Sequence, residues 1–131
     1  MISFDTKGDF SKTFKFLENC KNINNKIRNI LEKYGSQGVD ALSSATPVDS
    51  GTTASSWKYK VKQSGDTATI EWYNTNTVKG VNIAVILQYG HGTQNGGYVA
   101  GQDYINPAMK PIFDKIAKEA FKEVSKEWVN Q

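Results

Sequence analysis

The chain has 131 residues, of which 16 are Lys or Arg and 13 are Asp or Glu, and its formal net charge is +3. This length suits one domain with a modest hydrophobic core, and so mild a basic excess does not indicate the concentrated basic face of a nucleic-acid-binding protein. The single cysteine, Cys20, excludes a disulfide within these residues and is compatible with a reducing cytosol. No apolar run approaches the about 18 residues of a membrane span, and the N-terminus lacks the pattern of a signal peptide. We therefore expect a soluble protein, made inside a cell, that forms one domain over residues 1–131.

The N-terminal part predicts a short strand followed by a long amphipathic helix. Residues 2–7 suit a strand that Gly8 ends, and Asp9 or Ser11 is placed to cap a helix. Between residues 10 and 34 the apolar residues recur at steps of three and four, which predicts one apolar face on that helix.

The end of this helix is marked by glycines and a proline. Gly35 and Gly38 each cost about 1 kcal/mol inside a helix, so we expect a kink or a break there and a second helical piece beyond it. Pro47 disfavours the helical conformation at Thr46, so the helix should end by that residue.

Two alternating segments in the middle of the chain predict a β-hairpin. "WKYKVK" (57–62) and "TATIEWY" (67–73) each place apolar residues at every second position, and "QSGD" (63–66) suits the connecting loop. A register that brings both apolar faces to one side of the sheet is strongly specified, because a slip of one residue reverses the faces. This register pairs Trp57 with Trp72, Tyr59 with Ile70, Val61 with Ala68 and Lys58 with Glu71.

The remaining segments complete the predicted fold. Residues 74–80 predict a polar loop, "VNIAVILQY" (81–89) predicts a third long strand, and the glycine-rich residues 90–101 predict a mobile loop. A last helix begins at Asn106 or Pro107. This order predicts an α+β fold, in which an antiparallel sheet of about three to four strands is packed by a long, kinked or broken N-terminal helix and a C-terminal helix.

Residue types that carry catalysis or hold cofactors do not form recognisable motifs. His91 is the only histidine, and no G-x-S-x-G or comparable motif supplies a nucleophile and a carboxylate to it. One His, one Cys and scattered carboxylates give no metal-ligand spacing, and "GHGTQNGGYVAG" lacks the lysine of a phosphate-binding loop. We expect no catalytic residues, no metal and no cofactor, and we interpret His91 as a loop residue between two glycines.

A row of lysines on the first hairpin strand supplies an alternative function. Lys58, Lys60 and Lys62 alternate along the strand and are candidates for contact with phosphates or with a partner. They also suit a solvated sheet face whose charges discourage edge-to-edge aggregation. A nucleic-acid-binding accessory domain that uses this basic face is therefore the second hypothesis.

Two segments taken together resemble the gene-product-10-like neck family of tailed phages, which comprises head–tail connector or tail-completion proteins. "ATPVDSGTTASSW" (45–57) is similar to the signature A-x-x-x-x-P-V-D-T-G-x-L-R-x-S, with Thr53 and Ala54 at the Leu-Arg positions. "VILQYGHGTQNGGYVAGQDYINPAM" (85–109) resembles the second signature, with Gln88 in place of the usual Glu and His91 inserted into Tyr-Gly-Thr. The opening "ISFDTKGDFSKTFKFL" (2–17) is also similar to the family's first strand, glycine and helix.

The resemblance implies a structural protein without enzymatic activity that forms a homo-oligomeric ring, six-fold or twelve-fold, at the head–tail junction. Its partners would be other neck, tail-terminator or tail-tube proteins, and DNA would pass through the channel without specific recognition and without any membrane contact. The protein would belong to a virion or a phage-tail-like particle assembled in the cytoplasm of the bacterial host. Residues 45–57 would then turn the chain from helix into strand, with Gly51 at positive φ.

Within this interpretation the glycine-rich segment is the candidate assembly interface, since a segment with large backbone freedom can become ordered against a neighbour. Its residues are Tyr89, Gly90, His91, Gly92, Thr93, Gln94, Asn95, Gly96, Gly97 and Tyr98.

Overall fold

The computed structural model describes residues 2–6, 12–17, 21–47, 51–65 and 67–129. The predictions for Gly8, Asp9 and Ser11 concern residues outside these ranges. In chain order the elements are β1 (Ile2–Thr6), β2 (Lys12–Leu17), α1 (Lys21–Ala45), a 3-10 turn (Ala54–Ser56), β3 (Trp57–Ser64), β4 (Thr67–Asn74), β5 (Thr77–Val78), β6 (Val81–Asn82), α2 (Ile83–Tyr89), β7 (Gly90–Gly92), β8 (Tyr98–Ala100) and α3 (Ile105–Val129).

The predicted α+β class is confirmed. Strands β1, β2, β4 and β3 form, in this order, a four-stranded antiparallel sheet. Helix α1 packs against both α3 and the β3–β4 hairpin. The core lies between the helices and the sheet, and its most deeply buried large side chains are Trp72, Leu31, Leu42, Ile70, Met109 and Ile116.

The second strand of this sheet occupies a segment that was predicted to be helix, so the prediction of a helix from residue 9 or 11 was wrong. In "KTFKFL" the apolar residues fit an alternating pattern as well as a helical one. The pairing of β2 with β1 and β4 decides between the two, with Phe14 opposite Ile70 and Phe16 opposite Ala68. Helix α1 therefore begins later, at Lys21.

The β3–β4 hairpin is confirmed, but its predicted register was wrong by two residues. Trp57 lies opposite Asn74, Tyr59 opposite Trp72 and Val61 opposite Ile70. The prediction assumed a four-residue loop, whereas Ser64 pairs with Thr67, and Gly65 adopts a φ of 58° that suits a two-residue turn. A shift of two residues preserves the faces, so the side of the sheet that is buried was predicted correctly.

Helix α1 is uninterrupted through Gly35 and Gly38, so the expected break does not occur. It ends at Ala45, two residues before Pro47, as predicted. The glycines serve packing, because a Cβ at Gly35 would lie within the ring of Tyr59 and a Cβ at Gly38 within the indole of Trp72.

The third long strand predicted over residues 81–89 was also wrong. Only Val81 and Asn82 are extended, in a small hairpin with β5, and Ile83–Tyr89 is helix α2. The β-branched residues favoured a strand, but the side chain of Asn82 accepts a hydrogen bond from the backbone N–H of Ala84 and caps the helix. The glycine-rich segment is likewise not a simple loop, because β7 and β8 pair as an antiparallel hairpin.

Candidate assembly surface

The described residues of the segment 45–57, which we call the signature turn, connect the end of α1 to β3 and are held by buried hydrogen bonds. The hydroxyl of Thr46 donates to the carbonyl oxygen of Leu42 at 2.6 Å and accepts from the indole N–H of Trp57 at 2.8 Å. Gly51 adopts a φ of 79°, which confirms the predicted positive φ. These bonds therefore give the segment a structural role, because they fix the position of the first residue of β3 relative to the end of α1.

An asparagine network ties this turn to the next part of the chain. The side chain of Asn74, which is buried, donates to the carbonyl oxygen of Thr53 at 2.8 Å and accepts from the backbone N–H of Asn76 at 2.9 Å. Asn76 donates to the hydroxyl of Thr53 at 2.8 Å, and Asn82 donates to the carbonyl oxygen of Asn74 at 3.0 Å. These bonds hold β5, β6 and α2 against the signature turn.

Gln88 joins the end of α2 to the start of α3. Its side-chain oxygen accepts from the backbone N–H groups of Tyr104 and Ile105, each at 3.1 Å, and its amide nitrogen donates to Asp103 Oδ1 at 2.7 Å. A second bond between these helices runs from the Tyr104 hydroxyl to the carbonyl oxygen of Ala84 at 2.9 Å, and burial raises the pKa of Tyr104, so the hydroxyl remains a donor. Gln88 is thus an N-terminal cap for α3.

The β7–β8 hairpin carries all of the predicted interface residues after Tyr89. His91 lies opposite Val99, and Gly92 lies opposite Tyr98. The tip is closed by the backbone N–H of Thr93, which donates to the carbonyl oxygen of Gly97 at 2.9 Å. The hydroxyl of Tyr98 donates to the carbonyl oxygen of Tyr89 at 2.8 Å, so the hairpin is fixed to the end of α2.

His91 is half-buried in this hairpin, and its Nδ1 has no hydrogen-bond partner within the described part of the chain. Residues 92–103 that follow it are exposed. Among the described residues no group of three or more His, Cys, Asp or Glu is placed to hold a metal ion. The hairpin is therefore a surface projection, which could contact a partner through its shape and its hydrogen-bonding groups.

A groove lies between the signature turn, the β5–β6 hairpin and α2. Its volume is about 190 Å³. The lining residues carry no charge, and they are Pro47, Gly51, Thr53, Ala54, Asn76, Val78, Ile83 and Leu87.

Residues 74–102, which we call the uncharged surface segment, contain a single charged residue, Lys79. The same segment holds most of the large apolar side chains that are exposed in the described chain: Val78 (51%), Val81 (43%), Tyr89 (52%), Tyr98 (67%) and Val99 (49%). Exposed aromatic and apolar side chains with few neighbouring charges are typical of the centre of protein–protein interfaces. We therefore add these exposed residues to the candidate interface, beyond the glycine-rich residues.

The lysine row lies on β3, at the edge of the sheet, away from this surface segment in sequence. Lys58, Lys60 and Lys62 are exposed. Lys60 Nζ lies 3.4 Å from Glu71 Oε2 and 5.4 Å from the ring centre of Tyr73. One of the three charges is thus paired within the chain, which leaves Lys58 and Lys62 as the stronger candidates for an external anion.

Sequence reasoning missed the asparagine network and the groove. The available signal was the recurrence of asparagine in "YNTNTVKGVN", where short amides flank a segment without core residues. Asparagine side chains bond readily to nearby backbone, so such a cluster indicates an organised turn rather than an open loop.

Within the described residues no helix has the length and apolar character needed to cross a membrane. The comparison with curated proteins gave no significant match. The comparison with solved structures gave none either.

Residues 8–91, more than half of the chain, match the HK97-gp10-like family model, whose description is "Bacteriophage HK97-gp10, putative tail-component". The matched segment includes the signature turn, the groove-lining residues and Gln88, and it ends on β7. This confirms the family expected from the two signatures. The chain belongs to the HK97-gp10-like family and has a structural role as a bacteriophage tail component.

Proposed function

We propose that the chain is a ring-forming subunit of the phage neck or tail-completion assembly, or of the equivalent collar of a phage-tail-like particle. The observation that carries this proposal is the uncharged surface segment on a member of a tail-component family. Exposed apolar groups on a soluble monomer are unfavourable in water, and burial against a neighbour removes that cost. The ring would be six-fold or twelve-fold.

The hydrogen bonds within the surface support an assembly role. The hairpin is fixed to α2 by the Tyr98 bond to Tyr89, and α2 is fixed to α3 through Gln88. A surface that is already ordered loses less conformational entropy when it binds. Other neck, tail-terminator or tail-tube proteins would occupy the remaining faces of the ring, and DNA would pass through its channel without sequence-specific contacts. Assembly would take place in the cytoplasm of the bacterial host, and the product would be part of the virion.

Nucleic-acid binding by the lysine row is the second candidate. Lys58 and Lys62 are exposed on one face of an edge strand, but the pairing of Lys60 with Glu71 weakens that face as a phosphate site. Salt-dependent duplex binding by the purified chain that is lost in Lys58→Glu/Lys62→Glu would favour this candidate over the structural one.

The test of the proposed function is genetic and compositional. Particles produced in cells that lack this gene should accumulate as incomplete tails or unjoined heads, and supplying the chain in trans should restore them. Mass spectrometry of purified complete particles should then detect the chain in multiple copies. Complete particles that form without the chain would contradict the proposal.

A further inference from the structure

We propose that the β7–β8 hairpin of one copy docks into the groove of the next copy, so that the ring is built from a head-to-tail contact. This inference rests on the proposed function and names the partner surface for the same interface. It joins two features of the chain, the projecting hairpin and the groove lined by Pro47, Ala54, Val78 and Leu87.

The groove suits a protein side chain better than a free ligand. Small-molecule sites usually have volumes of about 300–1,000 Å³, whereas this groove has about 190 Å³. Its wall is largely apolar, and Val78 is half-exposed there. Small apolar pockets of this kind typically receive one or two anchor side chains from a partner.

The lack of charge in the groove lining indicates that an uncharged segment is the best occupant. The chain carries 29 charged residues (16 basic and 13 acidic) among 131, yet neither the groove lining nor residues 90–101 include any of them. A charged segment that entered the groove would lose its hydration without gaining an ionic partner, which is costly. The hairpin is an uncharged, projecting element of the same chain, and it presents Tyr98 and Val99 to solvent.

The hairpin does not fill its own groove. It is held at the end of α2 by the Tyr98 bond to Tyr89 and by the backbone N–H of Gln102, which donates to the carbonyl oxygen of Leu87 at 2.9 Å. In this position Tyr98 is 67% exposed. The groove and the hairpin are thus different surfaces of one molecule, and a contact between different surfaces of identical copies repeats around a ring if its rotation closes.

Helix α2 connects the two halves of the contact. Ile83 and Leu87 line the groove, and Gly90 begins the hairpin directly after Tyr89. The seven-residue helix is fixed at its start by Asn82 and at its end through Gln88. A copy seated in the groove therefore contacts the same short element from which the outgoing hairpin extends, which sets a constant angle from copy to copy.

Cysteine cross-linking in assembled particles tests this contact. In a chain with Cys20→Ser, the pair Val99→Cys and Val78→Cys places one thiol on the hairpin and one in the groove. Oxidation of purified particles should produce a ladder of covalent multimers. Each single cysteine alone should give no ladder, and neither should the control pair Val99→Cys and Lys62→Cys, whose second thiol lies on the outer edge of the sheet. Should the first pair prevent folding, Ala100→Cys on the exposed second strand of the hairpin, with Ala54→Cys in the groove, tests the same contact.

The outcomes separate the inference from the proposed function. If the chain is present in particles but neither groove pair gives a ladder, the head-to-tail contact is wrong and the structural role stands. A ladder of equal strength from the control pair also overturns the contact, because it indicates unspecific collision. If complete particles lack the chain altogether, the proposed function and the inference both fail.

Discussion

The indole N–H of Trp72 in β4 donates a hydrogen bond at 2.9 Å to the carbonyl oxygen of Gly35 in α1. This bond is possible because the helix passes very close to the sheet at two glycines one turn apart. At Gly38 the space that a Cβ would need is filled by the same indole. The two glycines of α1 are therefore contact positions, and their cost in helix propensity is offset by the burial of Trp72.

The first prediction concerns Gly38→Ala. In an exposed helix this change stabilises by about 0.5–1 kcal/mol, but here the new methyl group overpacks the indole of Trp72, which typically costs about 1–3 kcal/mol. We expect a net loss of about 1–2 kcal/mol in the free energy of unfolding, measured by chemical denaturation. The matched control is Ser36→Ala, at an exposed position of the same helix, which should change stability by no more than about 0.5 kcal/mol. An increase in stability for Gly38→Ala would show that the helix does not approach the sheet so closely.

The second prediction concerns the cap that Gln88 provides for α3. In Gln88→Ala the backbone N–H groups of Tyr104 and Ile105 lose their acceptor in a buried place, so we expect a loss of about 1–3 kcal/mol in the free energy of unfolding. The control is Gln102→Ala, because the side chain of Gln102 is exposed and only its backbone N–H takes part in a described bond. Equal melting temperatures for the two variants would contradict the capping role.

The substitution Gln88→Glu gives a sharper version of this test. Gln88→Glu removes the N–H donor to Asp103 Oδ1 and places two carboxylates side by side, which disfavours ionisation of one of them. The Gln88→Glu variant should therefore have a lower free energy of unfolding at pH 8 than at pH 5. The double variant Gln88→Glu/Asp103→Asn should remove most of that difference. A pH-independent defect that the second change does not relieve would argue against repulsion as its cause.

The third prediction concerns the contact between α1 and α3 at Tyr34. Its hydroxyl donates to Glu119 Oε1 at 2.6 Å, and this bond, followed by Lys33 at 3.1 Å, holds the pKa of Glu119 below its ordinary value. A carboxyl whose pKa is lowered by folding contributes stability above its unfolded pKa of about 4.3 and loses it as the pH falls further. The same bond raises the pKa of Tyr34, so its contribution is lost only above the ordinary tyrosine range.

We therefore expect Tyr34→Phe to be less stable than the natural chain at pH 7 and nearly equal to it below about pH 3. Because the Glu119 side chain is 36% exposed, solvent screening limits the difference at pH 7 to about 1 kcal/mol. Tyr73→Phe, at a half-buried position on β4, is the control and should show no such pH dependence. Urea denaturation from about pH 2 to about pH 8 measures the stability of both variants, and a constant difference across that range would contradict the ionic origin.

Some of the fold was predictable from local patterns. The faces of β3 and β4, the end of α1 before Pro47 and the start of α3 near Pro107 follow from alternation and from proline chemistry. These features depend on residues close together in the chain.

The rest was not evident from alternation alone, and most of it depends on residues that are distant in the chain. The segment "KTFKFL" fits both the two-residue alternation of a strand and the three-to-four-residue spacing of a helix. Its pairing with β4 is what makes it a strand. "IAVILQY" has the composition of a strand, yet Asn82 and Gly90 cap it as a helix. The glycines of α1 look like breaks until the position of Trp72 is known. The signatures indicated one candidate segment for an interface, but the groove combines residues from 47 to 87 that no local pattern connects.

The measurement that tests the central claim most directly is the copy number of the chain in purified particles carrying Val99→Asp. The change places one charge on an exposed position of the hairpin, so the melting temperature of the free chain should be unchanged, while incorporation should fall to background because an unpaired charge is costly in an uncharged interface. The matched control is Lys58→Glu, a charge change at an exposed position on β3, which should be incorporated at the natural level. Normal incorporation of Val99→Asp would contradict the account and show that the hairpin lies outside the interface.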